Sequence, residues 1–128
     1  AIPTSADRSH QCRQAVLAAQ KVLTDLAALN HGRAQANKSP LDIGIGINSG
    51  QVSYGNIGSP GRLDFTVLGG AVNVASRIEG LTKSIGHRVL ATATIAETNP
   101  EFFVACGLHE VRGLARPIEL FNLSEPNL

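Results

Sequence analysis

The sequence predicts an α/β or α+β sandwich, in which helices pack on a sheet. Segments with the apolar spacing of helices alternate with short β-prone runs, and the chain closes on two such runs joined by a turn. With 128 residues and a formal charge of +1, the chain has the size of one compact domain with a real core. Neither an internal repeat nor a second domain is evident in the sequence.

A long helix is predicted first, from His10 to about Gly32, with Ser9 as its N-cap and Gly32 as its terminator. Apolar residues recur there every three or four positions, as they do on one face of a helix. The residues of that face are Cys12, Ala15, Val16, Ala19, Val22, Leu23, Leu26 and Leu29. The polar stretch from Ala34 to Pro40 is then expected to be a surface loop.

Two strands are predicted next. From Asp42 to Asn48, isoleucines alternate with Gly44 and Gly46, so one face offers branched side chains and the other almost none. A bare face of this kind indicates that another part of the chain approaches the strand closely. A tight turn at Ser49 and Gly50 is expected to lead into a second strand over Gln51 to Gly55.

The remaining elements alternate between strands and helices. They are a loop from Asn56 to Arg62, strands over Leu63 to Leu68 and Arg88 to Ala91, helices over Ala71 to about Lys83 and Thr92 to Thr98, and closing strands over Phe102 to Val111 and Ile118 to Leu123. Gly69 and Gly70 permit a sharp entry into the first of these helices. The turn from Arg112 to Pro117 makes the last two strands a hairpin.

Composition narrows the class of function. The 11 Lys and Arg residues are scattered rather than gathered in a stripe, so nucleic acid is not the expected partner. Cys12 and Cys106 have neither a disulfide pattern nor a metal-binding spacing, and we expect reduced, buried thiols in a cytoplasmic protein. No apolar run is long enough for a membrane span, so no membrane contact is expected. The start at Ala1, without Met, is typical of a piece of a longer protein.

The predicted helix that begins at Ala71 carries the most informative polar pair. Asn73 and Arg77 are four residues apart and therefore share a face. A separate apolar stripe comprises Ala71, Val74, Ala75, Ile78 and Leu81. An amide and a guanidinium one turn apart suit a ligand with sugar oxygens and phosphates, although the spacing alone also fits a solvated helix face.

The segment around this helix resembles the signature of class III adenylyl and guanylyl cyclases. The resemblance rests on Gly55 to Ser59 and on Arg62 to Thr82, which reads RLDFTVLGGAVNVASRIEGLT. Ile43 to Gly50 is similar to the family's strand and turn. Val111-Arg112-Gly113, with Pro117 to Leu123, is similar to its closing hairpin. The resemblance implies a ferredoxin-like cyclase catalytic fold with helices on a mostly antiparallel sheet, and residues 1–128 as a single catalytic domain truncated at its N-terminus.

By this resemblance, the function is conversion of ATP to 3′,5′-cyclic AMP and pyrophosphate. Asn73 matches the asparagine that orients the ribose, and Arg77 matches the arginine that stabilises negative charge as pyrophosphate leaves. Thr66 falls where the family reads the base, and threonine there resembles adenylyl cyclases, whereas cysteine is typical of guanylyl cyclases. Its hydroxyl can donate and accept a hydrogen bond, so adenine is expected but guanine is not excluded by this residue alone.

The resemblance also implies groups that the sequence lacks. Mg²⁺ or Mn²⁺ would be held by two aspartates in a segment before Ala1, which would also carry an adenine-reading lysine. No metal ligand is assigned within the chain, and Asp64 is expected to pair with a neighbour such as Arg62. The fragment alone is therefore expected to be inactive, and the complete protein to be a homodimer with active sites shared between subunits.

Three positions depart from the family's usual pattern. Asn48 stands where histidine is common, and Gly70 where aspartate or asparagine is common. Leu114 stands where a lysine that contacts the triphosphate is often found, which weakens that site unless Arg112 or Arg116 reaches in. The alternative function is a degenerate cyclase homology domain that binds nucleotide or regulates a partner by dimerising, without turnover.

Overall fold

The computed structural model describes residues 5–50, 53–56, 65–68 and 70–124. Its elements in chain order are α1 (Ser5–Gln35), β1 (Ile45–Ile47), β2 (Ser53–Asn56), β3 (Phe65–Leu68), α2 (Gly70–Glu79), α3 (Thr82–Ile85), β4 (Val89–Thr92), α4 (Ala93–Thr98), a 3₁₀ turn (Pro100–Phe102), β5 (Phe103–His109) and β6 (Ile118–Leu123). Within these ranges, no helix combines the length and apolar character needed to cross a bilayer.

A four-stranded sheet forms the centre of the fold, in the order β1-β4-β6-β5. β1 runs parallel to β4, whereas β6 is antiparallel to both β4 and β5. β2 and β3 pair separately as an antiparallel two-stranded sheet. The predicted α+β architecture is confirmed, with a mixed, mostly antiparallel sheet, and the predicted closing hairpin is β5 with β6.

Two apolar clusters lie on the two faces of this sheet. The first packs α1 and α4 against the sheet, and it includes Val16, Val89, Ala91 and Ile95. The second joins α2 to the opposite face, where Ile78 packs with Leu90 of β4 and with residues of the hairpin. Consecutive residues of β4 thus belong to different clusters, because side chains alternate across a strand.

The first helix is longer than the predicted His10 to Gly32, since α1 includes both the expected cap Ser9 and the expected terminator Gly32. It ends at Gln35, and the left-handed residue Asn37, with a φ of 59°, terminates it two residues later. The amide of Lys38 donates to the Arg33 carbonyl at 2.8 Å and that of Asn37 to Ala34 at 3.1 Å, which is the Schellman pattern. Asparagine tolerates this conformation, so a glycine was not needed to end the helix.

The predicted apolar face of α1 is mostly confirmed. Cys12, Val16, Ala19, Leu23 and Leu26 are buried. Val22 and Leu29 were expected on the same face but are exposed, because the buried stripe advances by alternating steps of four and three.

The second predicted helix, Ala71 to Lys83, is divided into α2 and α3. The break lies at Gly80 and Leu81, where the amide of Leu81 donates to the Ile78 carbonyl at 3.0 Å in a tightened turn. Thr82 contributes to the break, since its hydroxyl donates to the Glu79 carbonyl at 2.7 Å. A glycine followed by a hydroxyl that competes for a backbone carbonyl favours ending a helix there.

Other boundaries differ by a few residues. The predicted strand over Asp42 to Asn48 contracts to β1, and the strand over Phe102 to Val111 becomes β5. β5 contains a register shift between Ala105 and Leu108, where Gly107 has a φ of 85°. The predicted pairing of Asp64 with Arg62, most of the 56–62 loop, and residues 51 and 52 lie outside the described residues.

Candidate active site

The position of α2 is set by two glycines, Gly46 in β1 and Gly44 just before it. A Cβ on Gly46 would overlap the carbonyl oxygen of Ala75 and lie 2.8 Å from the amide nitrogen of Glu79. A Cβ on Gly44 would overlap the Thr82 hydroxyl. The predicted close approach to the bare strand face is confirmed. At Gly46 the backbone of α2 lies directly on β1, whereas Gly44 is approached by the Thr82 side chain at the start of α3.

The two faces of α2 are chemically distinct, as its spacing predicts. Ile78 is fully buried, and the other members of the apolar stripe are half-buried: Ala71, Val74, Ala75 and Leu81. Asn73 and Arg77 are exposed on the opposite face, together with Ser76. Packing of the stripe thus orients α2 so that the Asn73 amide and the Arg77 guanidinium face solvent.

Arg77 is held at its far end by the turn between β5 and β6. Its Nη1 donates to the carbonyl oxygen of Arg112 at 2.7 Å, across 35 residues of sequence. Within the described ranges, Arg77 forms no ion pair with a carboxylate. The guanidinium is therefore fixed by a neutral acceptor that leaves its charge uncompensated, which suits recognition of an anion.

Asn48 joins three elements beside this helix. Its Nδ2 donates to the carbonyl of Ala71 in the first turn of α2 at 3.2 Å, and its Oδ1 accepts from the Thr92 hydroxyl at 2.9 Å. Thr92 has the extended conformation expected of the residue before α4, but its side chain does not cap that helix. The departure at Asn48 is accommodated because the amide supplies both a donor and an acceptor.

Thr66 lies in β3, with its Cα opposite Gly55 of β2. β3 ends at Leu68, and α2 begins at Gly70, so Thr66 precedes the helix by one short connection. Asn73 and Arg77 thus lie on one face of α2, and Thr66 lies on β3, the strand that precedes this helix in the chain.

A cleft of about 410 Å³ lies beside the N-terminal half of α2. The described residues that line it are Asn48, Val74, Thr92, Ala93, Thr94, Leu114, Ile118 and Glu119. Leu114 is 37% exposed and contributes an apolar wall where the family resemblance suggests a lysine. None of these described lining residues is cationic, whereas Arg112 and Arg116 are both exposed on the adjoining connection.

Metal binding is not supported by the residues present. Across residues 5–50, 53–56, 65–68 and 70–124, no three His, Cys, Asp or Glu side chains cluster in a way that could hold an ion. Two magnesium ions require several oxygen ligands, usually including carboxylates. The described residues therefore do not fit such a pair of ions.

The cysteines do not form a second reactive centre. Cys12 is buried and Cys106 is half-buried, and both are free thiols. Cys106 borders a hollow near Ser84, His87 and His109. Burial raises the pKa of the Cys106 thiol, which disfavours the thiolate and hence nucleophilic reactivity.

The hydrogen bond from Arg77 to the backbone of the β5–β6 turn is not predicted by the sequence. The Val111-Arg112-Gly113 pattern draws attention to the Arg112 side chain, not to its carbonyl. A carbonyl acceptor has no residue-specific signature. The one available signal was Gly113 itself, whose φ of 91° is a conformation that favours glycine.

The chain is similar in sequence to known nucleotide cyclases. A family model described as the adenylate and guanylate cyclase catalytic domain matches residues 4–123. An adenylate cyclase of Anabaena cylindrica is 49% identical over 65 residues, covering 49% of this chain and 13% of that protein. Adenylate cyclase 1 of Rhizobium meliloti is 28% identical over 116 residues, covering 89% of this chain and 17% of that protein. The chain thus spans only a small part of these curated relatives.

Solved structures agree in fold. The crystal structure of the guanylyl cyclase Cya2 superposes with a TM-score of 0.74 and 28% identity, covering 89% of this chain and 58% of that chain. A bacterial light-regulated adenylyl cyclase gives a TM-score of 0.66 and 27% identity, covering 90% of this chain and 58% of that chain. The chain is thus similar in fold to both adenylyl and guanylyl cyclases.

Proposed function

Because the chain belongs to the family of adenylate and guanylate cyclase catalytic domains, we propose that it forms part of an adenylate cyclase active site. In this proposal, the complete protein converts ATP to 3′,5′-cyclic AMP and pyrophosphate. The observation that carries it is the arrangement on α2, where exposed Asn73 and Arg77 share a face and Arg77 is held without a carboxylate partner.

The proposed reaction is an intramolecular displacement at phosphorus. The ribose 3′ oxygen bonds to the α-phosphorus, and its proton passes to solvent or to a base outside the described residues. The bond from the α-phosphorus to the oxygen bridging to the β-phosphate breaks, and pyrophosphate leaves with that electron pair. The protein's share in such a reaction is mainly positioning and charge stabilisation.

Each assigned residue has one role in this step. Asn73 orients the ribose through its amide, and Arg77 stabilises the charge that grows on the pyrophosphate. Arg77 suits this role because its planar guanidinium retains donors beyond the Nη1 hydrogen that it gives to Arg112. Thr66 contacts the adenine base, because its hydroxyl can both donate and accept a hydrogen bond.

Divalent metal is assigned to groups outside the described residues. The proposal places the ligands of Mg²⁺ or Mn²⁺ elsewhere in the complete protein, together with the lysine that reads adenine. Residues 1–128, purified alone, are accordingly expected to make no cyclic AMP from ATP with either ion. Activity clearly above a blank would contradict this division of the site.

The complete protein is proposed to act as a homodimer with composite sites. One subunit contributes Thr66, Asn73 and Arg77, and its partner contributes the metal ligands. The support for this arrangement is the exposed face of α2, where Arg77 is bonded to a backbone carbonyl and has no carboxylate partner among the described residues.

The proposal is tested by Asn73→Ala in the complete protein, with cyclic AMP and pyrophosphate measured from ATP. We expect turnover to fall at least about tenfold, because a misplaced ribose loses the geometry of attack. Ser76→Ala is the matched control, since Ser76 is exposed on the same face but has no assigned role. Equal turnover in the two variants would contradict the assignment of Asn73.

A second candidate function has specific support. Leu114 borders the cleft beside α2 and offers no charge to a triphosphate. This feature fits a degenerate module that binds nucleotide or pairs with another subunit without turnover. In that case the complete protein would bind ATP, or dimerise, but release no pyrophosphate.

A further inference from the structure

We propose that Gly113 is a positioning residue for Arg77. Because Gly113 has no side chain, the guanidinium can lie against the backbone of Arg112 and Gly113, a surface called the seat of Arg77 below. This inference rests on the proposed function, because it concerns how the charge-stabilising group is held in place. It assigns to the β5–β6 turn a role that depends on the absence of a side chain.

The contact between the turn and the guanidinium is direct. A Cβ on Gly113 would overlap Nη1 of Arg77, and would lie 3.1 Å from its Cζ and 3.7 Å from its Nη2. The guanidinium thus occupies the volume that any other residue at this position would fill. The same Nη1 donates to the carbonyl of the preceding residue, Arg112, so the seat combines a steric surface with a hydrogen bond.

The turn that forms the seat is itself anchored. The amide of Leu114 donates to the Val111 carbonyl at 3.0 Å, which closes the turn. Val111 is 3% exposed and belongs to the same apolar cluster as Ile78, the neighbour of Arg77 on α2. The helix that carries Arg77 and the turn that receives it are therefore fixed to one core.

Such a seat matters because an exposed arginine otherwise samples many rotamers. Removing that freedom before the substrate arrives lowers the entropy lost on reaching the transition state. A neutral carbonyl achieves this without cancelling the positive charge, as a carboxylate would. The seat therefore orders Arg77 and leaves its charge available to the leaving group.

The chain provides matched controls for a glycine substitution. Gly86 and Gly107 have φ values of 88° and 85°, close to the 91° of Gly113, but a Cβ at either position would meet nothing within 4 Å. Alanine at any of the three sites imposes similar backbone strain. Only alanine at position 113 would also displace Arg77.

The test compares Gly113→Ala with Gly86→Ala and Gly107→Ala in the complete protein, at a temperature where thermal melts show all variants folded. We expect kcat for Gly113→Ala to fall roughly tenfold or more with little change in KM, and the two control variants to retain wild-type kcat within about twofold. A kcat for Gly113→Ala equal to that of the controls would overturn the proposal.

A double variant separates positioning from other effects. In an Arg77→Ala background, Gly113→Ala should cause no further loss of kcat, because it acts through the missing side chain. An equal further loss would show that Gly113 acts independently of Arg77 and would overturn the inference. If Arg77→Ala alone left kcat unchanged, the proposed function itself would fail, which is a different result.

A measurement on the unmodified complete protein covers the case in which Gly113→Ala does not fold. The side-chain ¹⁵N NMR signals of Arg77 should show slowed rotation of the guanidinium, as expected when Nη1 is held by a carbonyl. Arg77→Lys serves to assign the signals. Freely averaged guanidinium signals at Arg77 would overturn the proposal without any activity assay.

Discussion

Gly46 of β1 lies against the backbone carbonyl of Ala75 in α2, so that strand and helix meet without an intervening side chain. This contact sets the height of α2 above the sheet, and with it the positions of Asn73 and Arg77. The bare face of the strand is therefore part of the architecture of the candidate site, even though Gly46 has no chemical role.

The first prediction is that Gly46→Ala lowers the free energy of unfolding by about 1–3 kcal/mol, because the added methyl group must displace the helix backbone. Gly32→Ala is the control, since a Cβ at Gly32 in α1 meets nothing within 4 Å. That change should raise stability by about 0.5–1 kcal/mol, as removing a helical glycine does. Urea denaturation measures both, and equal stability of the two variants would contradict the packing described.

The second prediction concerns Asn48, which bridges Ala71 of α2 and Thr92 of β4. Asn48→Ala should lower the free energy of unfolding by about 1–3 kcal/mol, because partners in a part-buried setting lose their hydrogen bonds. Asn30→Ala is the control, since Asn30 also makes two hydrogen bonds, both with Leu41, but in an exposed setting. The loss of unfolding free energy in Asn30→Ala should be smaller, because water can replace its hydrogen bonds. An equal loss in Asn30→Ala and Asn48→Ala would contradict the bridging role of Asn48.

The third prediction addresses the base. Thr66→Cys in the complete protein should shift the ratio of kcat/KM for ATP to that for GTP toward GTP by roughly 1–3 kcal/mol, the range for one good hydrogen bond. Thr66→Ser is the control, because it retains the hydroxyl and should retain the preference. A ratio that is the same in wild type and Thr66→Cys would mean that Thr66 does not contact the base.

The fourth prediction tests the shared site. Chains with Arg77→Ala are mixed with chains in which the metal-binding aspartates proposed elsewhere in the complete protein are replaced. Each variant should be inactive alone, whereas a random mixture should recover part of the wild-type rate. In a mixed dimer, one of the two active sites has both intact aspartates from one subunit and an intact Arg77 from the other. The control is a subunit-exchange assay on the same mixture. Exchange without recovery would contradict composite sites.

Much of the site's framework could be predicted because it depends on local spacing. The i, i+4 relation of Asn73 and Arg77, the apolar stripe that includes Ile78, and the bare face around Gly46 are all visible in the sequence. Periodicity assigns residues to faces without knowledge of the fold. The long α1 was also predicted, although its ends were not.

The features that could not be predicted depend on which backbone groups meet in three dimensions. The Arg112 carbonyl lies 35 residues from Arg77, and only the packing of the hairpin beside α2 brings them together. The end of α1 at Asn37 and the break after Glu79 were also missed. At both positions, local hydrogen bonds to particular carbonyls replace those of the regular helix. The residue types alone do not show which of these hydrogen bonds forms.

The central claim is that Arg77 stabilises charge in the transition state of cyclisation, and the kcat of Arg77→Ala in the complete protein tests it most directly. We expect kcat for ATP to fall roughly 10²-fold or more with little change in KM, because the charge develops only as pyrophosphate leaves. Arg33→Ala is the matched control, since Arg33 is likewise bonded to a backbone carbonyl, that of Ser39 at 2.8 Å, but lies on α1. Turnover of Arg77→Ala within about twofold of the Arg33→Ala value would contradict the claim and leave Arg77 as an ordinary surface residue.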